Sequence, residues 1–211
     1  MNLTPDQKDA VSELVNIAFS RTAAALSELT HNRVELSVPQ VAAYPIAELL
    51  PALANLIDGE VATVHQIFGG PVSGDAFLLL DFEGASRLVS LLTDAGAPTD
   101  KMGASAKEVL GEVGNILLNA CLGVFGDLLQ VRFTFAVPRL RLDALRSLLG
   151  SLVIGTDANQ HALHHALVIG TNFRVQASDV TGCMVLVLGV TSFELFAKAI
   201  EDWATRASSQ L

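Results

Sequence analysis

Asp9, Glu13 and Asn16 are spaced to place an acid, an acid and an amide on one side of a helix. Successive helical residues advance by about 100°, so Glu13 lies at about +40° and Asn16 at about −20° from Asp9. Glu108, Glu112 and Asn115 repeat the pattern 99 residues later. A carboxamide in such a stripe can orient a water molecule, and a carboxylate can grip a cation presented by another molecule. The stripe contains no cysteine, no Ser/His pair and no cation, so it lacks a nucleophile and a charge-stabilising group of its own. The plain alternative is a solvated face, with acids favoured near a helix N-terminus by the helix dipole. Against it, Asn is a poor helix former. The amide also recurs in register while neighbours drift, Leu14 becoming Val113 and Ala18 becoming Leu117.

The elements that must carry these residues are also legible. Thr4, Pro5 and Asp6 supply an N-cap, a first helical position and an acidic first turn. Val11, Leu14, Ile17 and Ala18 then recur with helical period, which predicts a helix to about Leu29. In "NRVELSVP", Val34, Leu36 and Val38 alternate with polar residues up to Pro39, the pattern of a strand stopped by proline. The second copy keeps this order. Gly103-Ala104-Ser105 opens a helix with Val109, Val113, Ile116, Leu117 and Ala120 on its apolar side. "QVRFTFAVP" then alternates Val131, Phe133, Phe135 and Val137 before Pro138. From Asn16 to Pro39 and from Asn115 to Pro138 the separation is 23 residues in both halves.

The remainder of each half corresponds more loosely. "ELLPALANLIDG" and "LDALRSLLGSL" read as short helical or irregular connections. "EVATVHQIFGG", "SGDAFLLLDF", "HALHHALVIGTNFRV" and "TGCMVLVLGV" read as strands, and "GASRLVSLLTDAG" and "SFELFAKAIEDWATRA" as helices. The second half carries about eight extra residues before its final hairpin. Two copies are too few for a stacked array. The reading is a single domain, 1–211, built of repeats at about 1–97 and 98–211, because each half alone would have a small core.

Composition narrows the function. At 51% hydrophobic and 17% charged, the 211 residues can bury a large core. The most apolar segment, Val113 to Gly126, contains Asn115 and Asn119 and falls short of the roughly 20 residues a membrane span needs. A buried helix is expected, with no membrane span. The N-terminus shows no basic segment followed by an apolar one, hence no secretory signal. The net charge of −9 and the lack of any Lys/Arg cluster argue against nucleic acid. Cys121 and Cys183 lie in apolar runs and read as reduced core cysteines of a cytoplasmic protein. His161, His164 and His165 invite a metal site, but no Cys or acid lies at useful spacing, and an exposed or edge strand is the expectation. "FGGPVSGD" lacks the Lys-Ser/Thr of a phosphate loop and reads as a hairpin turn. Asn119 either extends the face of Asn115 or bonds a neighbouring helix.

The segments "DAVSELVNI" with "VELSVP", and "EVLGEVGNI" with "FTFAVP", resemble the signature of the CheC/CheX/FliY family of chemotaxis phosphatases. That signature is an acid or Ser, three residues, Glu, two residues, Asn, then about 22 residues and Pro. Here it occurs twice, and Glu108 departs from the more usual Asp or Ser. The resemblance is greatest to a two-site CheC. It implies an α+β fold with an antiparallel sheet shared by two pseudo-twofold-related halves and paired exposed site helices. It implies hydrolysis of the aspartyl phosphate of a CheY-type response regulator. Asn16 and Asn115 would position the water, Glu13 and Glu112 would pair with the regulator's lysine, and Asp9 and Glu108 would help dock it. The stripe cannot by itself stabilise a transferring phosphoryl group. The resemblance therefore implies no cofactor of the chain's own, with Mg²⁺ supplied by the phosphorylated regulator, and a possible CheD-like deamidase as a second partner. Two other readings stand beside it. One is a non-catalytic CheC-like module that docks a regulator or deamidase. The other is a flagellar-switch component of the FliY type, which would be expected to carry a further switch-binding domain.

Overall fold

A computed structural model describes residues 3–30, 33–36, 40–57, 59–93, 102–147, 164–175 and 178–208. Helix α1 (Pro5–Thr30) begins with a reciprocal cap. Gln7 N donates to Thr4 Oγ1, and Thr4 N donates to Gln7 Oε1, so two orphan donors of the first turn are satisfied. The strands are β1 (Val34–Leu36), β2 (Gln40–Pro45), β3 (Glu60–Gly69) and β4 (Gly74–Asp81) in the first half. Their counterparts in the second half are β5 (Thr134–Phe135), β6 (Arg139–Ala144), β7 (His164–Val175) and β8 (Ser178–Gly189). The other helices are α2 (Leu49–Ala54), α3 (Phe82–Thr93), α4 (Ala104–Leu129) and α5 (Val190–Ser208).

All eight strands form one antiparallel sheet in the order β1-β7-β8-β4-β3-β5, with β2 also on β7 and β6 also on β3. The order is palindromic under exchange of the two repeats. At its centre β4 and β8 pair through Phe77↔Val185. The outer strands are exchanged: β1 and β2 of the first half extend the second half's hairpin, and β5 and β6 return the exchange.

Strand residues alternate between two cores. Val64, Phe68, Leu78, Leu80, Ile169, Met184 and Leu186 face α1, α3, α4 and α5, whereas Val61, Phe77, Leu79, Val168, Cys183 and Val185 face α2. Both faces are covered, so these strands read as continuous apolar runs rather than as alternating ones. Helix α4 is long and apolar enough to cross a membrane by length and composition, and more than half of its most apolar stretch is buried inside the fold.

The structure corrects three expectations. The residues Leu142 to Ala144, read as part of a connection, belong to β6, because they complete the ladder on β3. The alternation from Val131 to Val137 yields only the two-residue β5; Phe133 packs edge-on against Phe68, but Val137 is 87% exposed. Pro138, without an N–H, separates β5 from β6. Finally, β7 is no edge strand: it pairs with β8 on one side and with β1 and β2 on the other. His165 is buried there and stacks on Phe193 at 4.8 Å.

Gly114 sets how closely α4 approaches the sheet. A methyl group at this position would overlap Val64, a β-branched residue with little freedom to turn away. Gly114→Ala is therefore expected to lower stability by about 1–3 kcal/mol, the usual cost of overpacking. Denaturant unfolding checks this; an unchanged midpoint would show that α4 is free to shift.

Candidate active site on paired helices

Helices α1 and α4 bury the same face. Val11, Leu14, Val15, Ala18, Phe19 and Thr22 are buried in α1, and their repeat equivalents Leu110, Val113, Gly114, Leu117, Leu118 and Cys121 are buried in α4. The helices pack against each other at the local twofold, where Thr22 Oγ1 and Cys121 Sγ, themselves repeat equivalents, lie 3.4 Å apart. With one side of each helix committed to the core, the opposite side is left to solvent. Asp9, Glu13 and Asn16 are exposed, as are Glu108 and Glu112, and Asn115 is half-buried. Each amide precedes the axis contact by about 9 Å of helix rise. The trios thus sit on opposite sides of the axis and open outward, each on a rigid two-layer support.

The two amides differ in their surroundings. The Asn16 side chain makes no hydrogen bond among the described residues; Ser20 Oγ donates instead to the Asn16 backbone carbonyl at 2.8 Å. Asn115 Oδ1 accepts from Asn119 Nδ2 at 2.7 Å and from Gln66 Nε2 at 3.5 Å. Asn119 therefore bonds within its own helix rather than to a neighbouring one. Gln66 was not legible as a site residue, because it lies within an apolar strand run 49 residues from Asn115, and only the sheet register brings them together. Lys8 and Lys107 precede Asp9 and Glu108 in the two copies, and both are exposed.

Among the described residues no three His, Cys, Asp or Glu side chains converge in a metal-binding arrangement. His161 lies outside the described residues. Burial pushes the thiols of Cys121 and Cys183 up to about 12 from an ordinary value of 9.0, with Thr22 opposing slightly at Cys121. Neither thiol can serve as a nucleophile near neutral pH. Both are expected to resist alkylation in the folded protein and to react on unfolding, which a thiol-titration time course checks. Because the folded values are raised, this contribution to stability is complete below pH 9 and is lost as pH rises towards about 12.

No protein-family model matches the chain. The CheY-P phosphatase CheC of Bacillus subtilis is 23% identical over 194 residues, covering 90% of this chain and 91% of that protein. The crystal structure of Thermotoga maritima FliY superposes with a TM-score of 0.77 at 18% identity, covering 98% of this chain and 99% of the other. The fold is that of the CheC/CheX/FliY family. The same fold occurs in the FliM middle domain of H. pylori, with a TM-score of 0.63 at 12% identity over 93% of this chain and 99% of that domain.

Proposed function

We propose that the chain is a CheC-like phosphatase that hydrolyses the aspartyl phosphate of a CheY-type receiver domain. The observation that carries this reading is the duplicated acid–acid–amide stripe, kept in register and exposed on two helices whose other faces are buried identically. Such a stripe is half of an active site. Asn16 or Asn115 positions a water in line with the phosphorus. The water oxygen bonds to phosphorus as the bond to the aspartyl oxygen breaks, leaving a free carboxylate and inorganic phosphate, which keeps both of the water's protons as H₂PO₄⁻ or releases one of them to solvent as HPO₄²⁻. Glu13 or Glu112 engages the receiver's lysine, and Asp9 or Glu108 contributes to docking. Mg²⁺ and the cation that neutralise the phosphoryl oxygens come with the receiver.

The rival reading is a docking module without catalysis, favoured by the occurrence of this fold in a FliM middle domain. A direct comparison separates the two. The protein should leave small aryl phosphates intact even with added Mg²⁺. It should accelerate phosphate release from a folded, Mg²⁺-loaded phospho-receiver, and chelation should abolish the acceleration. Turnover of the small ester that disappears in the double asparagine variant would show a self-sufficient site and overturn the half-site reading. Receiver binding without faster phosphate release would favour the docking module.

A further inference from the structure

The two copies are equivalent in their trios but not in what lies behind the amide. A carboxamide oxygen has two lone pairs, and the amide nitrogen carries two donors. At Asn115 the oxygen side is occupied by Asn119 Nδ2 at 2.7 Å and Gln66 Nε2 at 3.5 Å. Gln66 Nε2 also donates to the Ala136 carbonyl at 3.0 Å, so it ties the strand connection after β5 to the site helix. Neither amide recurs at its repeat-equivalent position in the sequence. Asn119 corresponds to Ser20, which bonds the backbone instead. Phe68 pairs with Phe135, and Phe173 pairs with Leu36, the repeat equivalent of Phe135; Gln66 therefore corresponds to Thr171.

Gln66 is placed where stability alone would not put it. It is 1% exposed, in the row of β3 that faces α4, between Val64 and Phe68, which are both buried. Its Oε1 finds no hydrogen-bond donor among the described residues, nor does Asn119 Oδ1. A buried polar group with an unmet acceptor costs stability, whereas an apolar side chain there would simply join the core. The amide donates to the Ala136 carbonyl at 3.0 Å and reaches Asn115 Oδ1 at 3.5 Å, so the site residue is one of its two partners.

We propose that Gln66 and Asn119 are positioning residues that clamp Asn115 through its oxygen and so turn its NH₂ group outward. The second site is thereby preorganised and the faster of the two. It orients its water by donating a hydrogen bond to the water oxygen, leaving another lone pair free to face phosphorus. The first site must fix its amide rotamer during each encounter. This inference rests on the hydrolytic reading above.

Two backgrounds isolate the sites: Asn16→Ala reports the second and Asn115→Ala the first. Steady-state dephosphorylation of a Mg²⁺-loaded phospho-receiver should give a higher kcat in the Asn16→Ala protein. Adding Asn119→Ala or Gln66→Leu to that protein should lower kcat by about tenfold or more, because small misplacements of a reacting group are costly, with KM little changed. In the Asn115→Ala background the same changes should leave the first site's rate where it was, which reports an intact fold. Gln66→Leu removes the bond to the Ala136 carbonyl together with the unmet acceptor, so the melting temperature should change little while kcat falls, whereas a purely structural role would lower stability and leave kcat per folded molecule unchanged. Loss in both backgrounds, loss carried by KM alone, or no loss would overturn the proposal. Should Gln66→Leu fail to fold, Asn119→Ala on the half-buried helix face decides the matter alone. If the Asn16→Ala, Asn115→Ala protein keeps full activity, the amides do not position the water and the inference fails; if the wild-type protein gives no acceleration at all, it is the phosphatase reading that fails.

Discussion

Replacing Asn16 and Asn115 together by alanine is expected to abolish the acceleration of receiver dephosphorylation while leaving the protein folded. Removal of one positioned hydrogen-bonding group at a reacting centre commonly costs on the order of 10²–10³ in rate. The fold should tolerate the change. Asn16 is exposed and its side chain makes no hydrogen bond among the described residues, and among those same residues Asn115 is bonded through its oxygen alone, to Asn119 and Gln66. Ala is also the better helix former, which offsets part of any loss. Because the trios lie on opposite sides of the local axis, each single variant should retain the other site's turnover. Stopped-flow phosphate release together with a thermal melt gives both readouts. Full activity in a folded double variant would remove the amides from the mechanism.

Reversing charge at Glu13 and Glu112 is expected to impair docking and turnover together. Both carboxylates are exposed and held on helix faces whose other side is buried, so little folding energy depends on them. A charge-assisted hydrogen bond to a partner's lysine is typically worth about 1.5–3 kcal/mol. Glu13→Lys with Glu112→Lys removes it and adds like-charge repulsion, so affinity should fall by at least about tenfold, with the larger part in the off-rate. The wild-type association rate should decline with added salt, as screening shortens the reach of an acidic surface of net charge −9. Titration calorimetry against an unphosphorylated and a stably phosphorylated-state-mimicking receiver measures this. Unchanged affinity in the double variant would mean that the glutamates face no cation.

The sequence alone determined the duplication, the two trios and the helices that carry them. These are local properties: the cap at Thr4, the helical recurrence of Val11, Leu14 and Ala18, and an offset of 99 residues that makes each copy a control on the other. The central strands were legible for the same reason, since covering both faces of the sheet leaves an uninterrupted apolar run such as Phe77 to Leu80. Strand partnership was decided only in the tertiary structure. β2 is short and carries no polar/apolar alternation, and the alternation of Arg139, Leu140, Arg141 and Leu142 in β6 runs directly into a segment that reads as a connection; both become strands by completing the other half's sheet, where Val41 meets Ile169 and Leu140 meets Val64. The exposed Val137 follows from the same cause, because the chain must leave the sheet at Pro138 between its two short strands. The difference between the two sites belongs to this second class as well. Gln66 stands behind Asn115 because β3 lies beneath α4 at the distance Gly114 allows. A hydrogen bond between residues far apart in the chain leaves no periodic trace in either segment, so it exists only once the sheet and helix layers have packed.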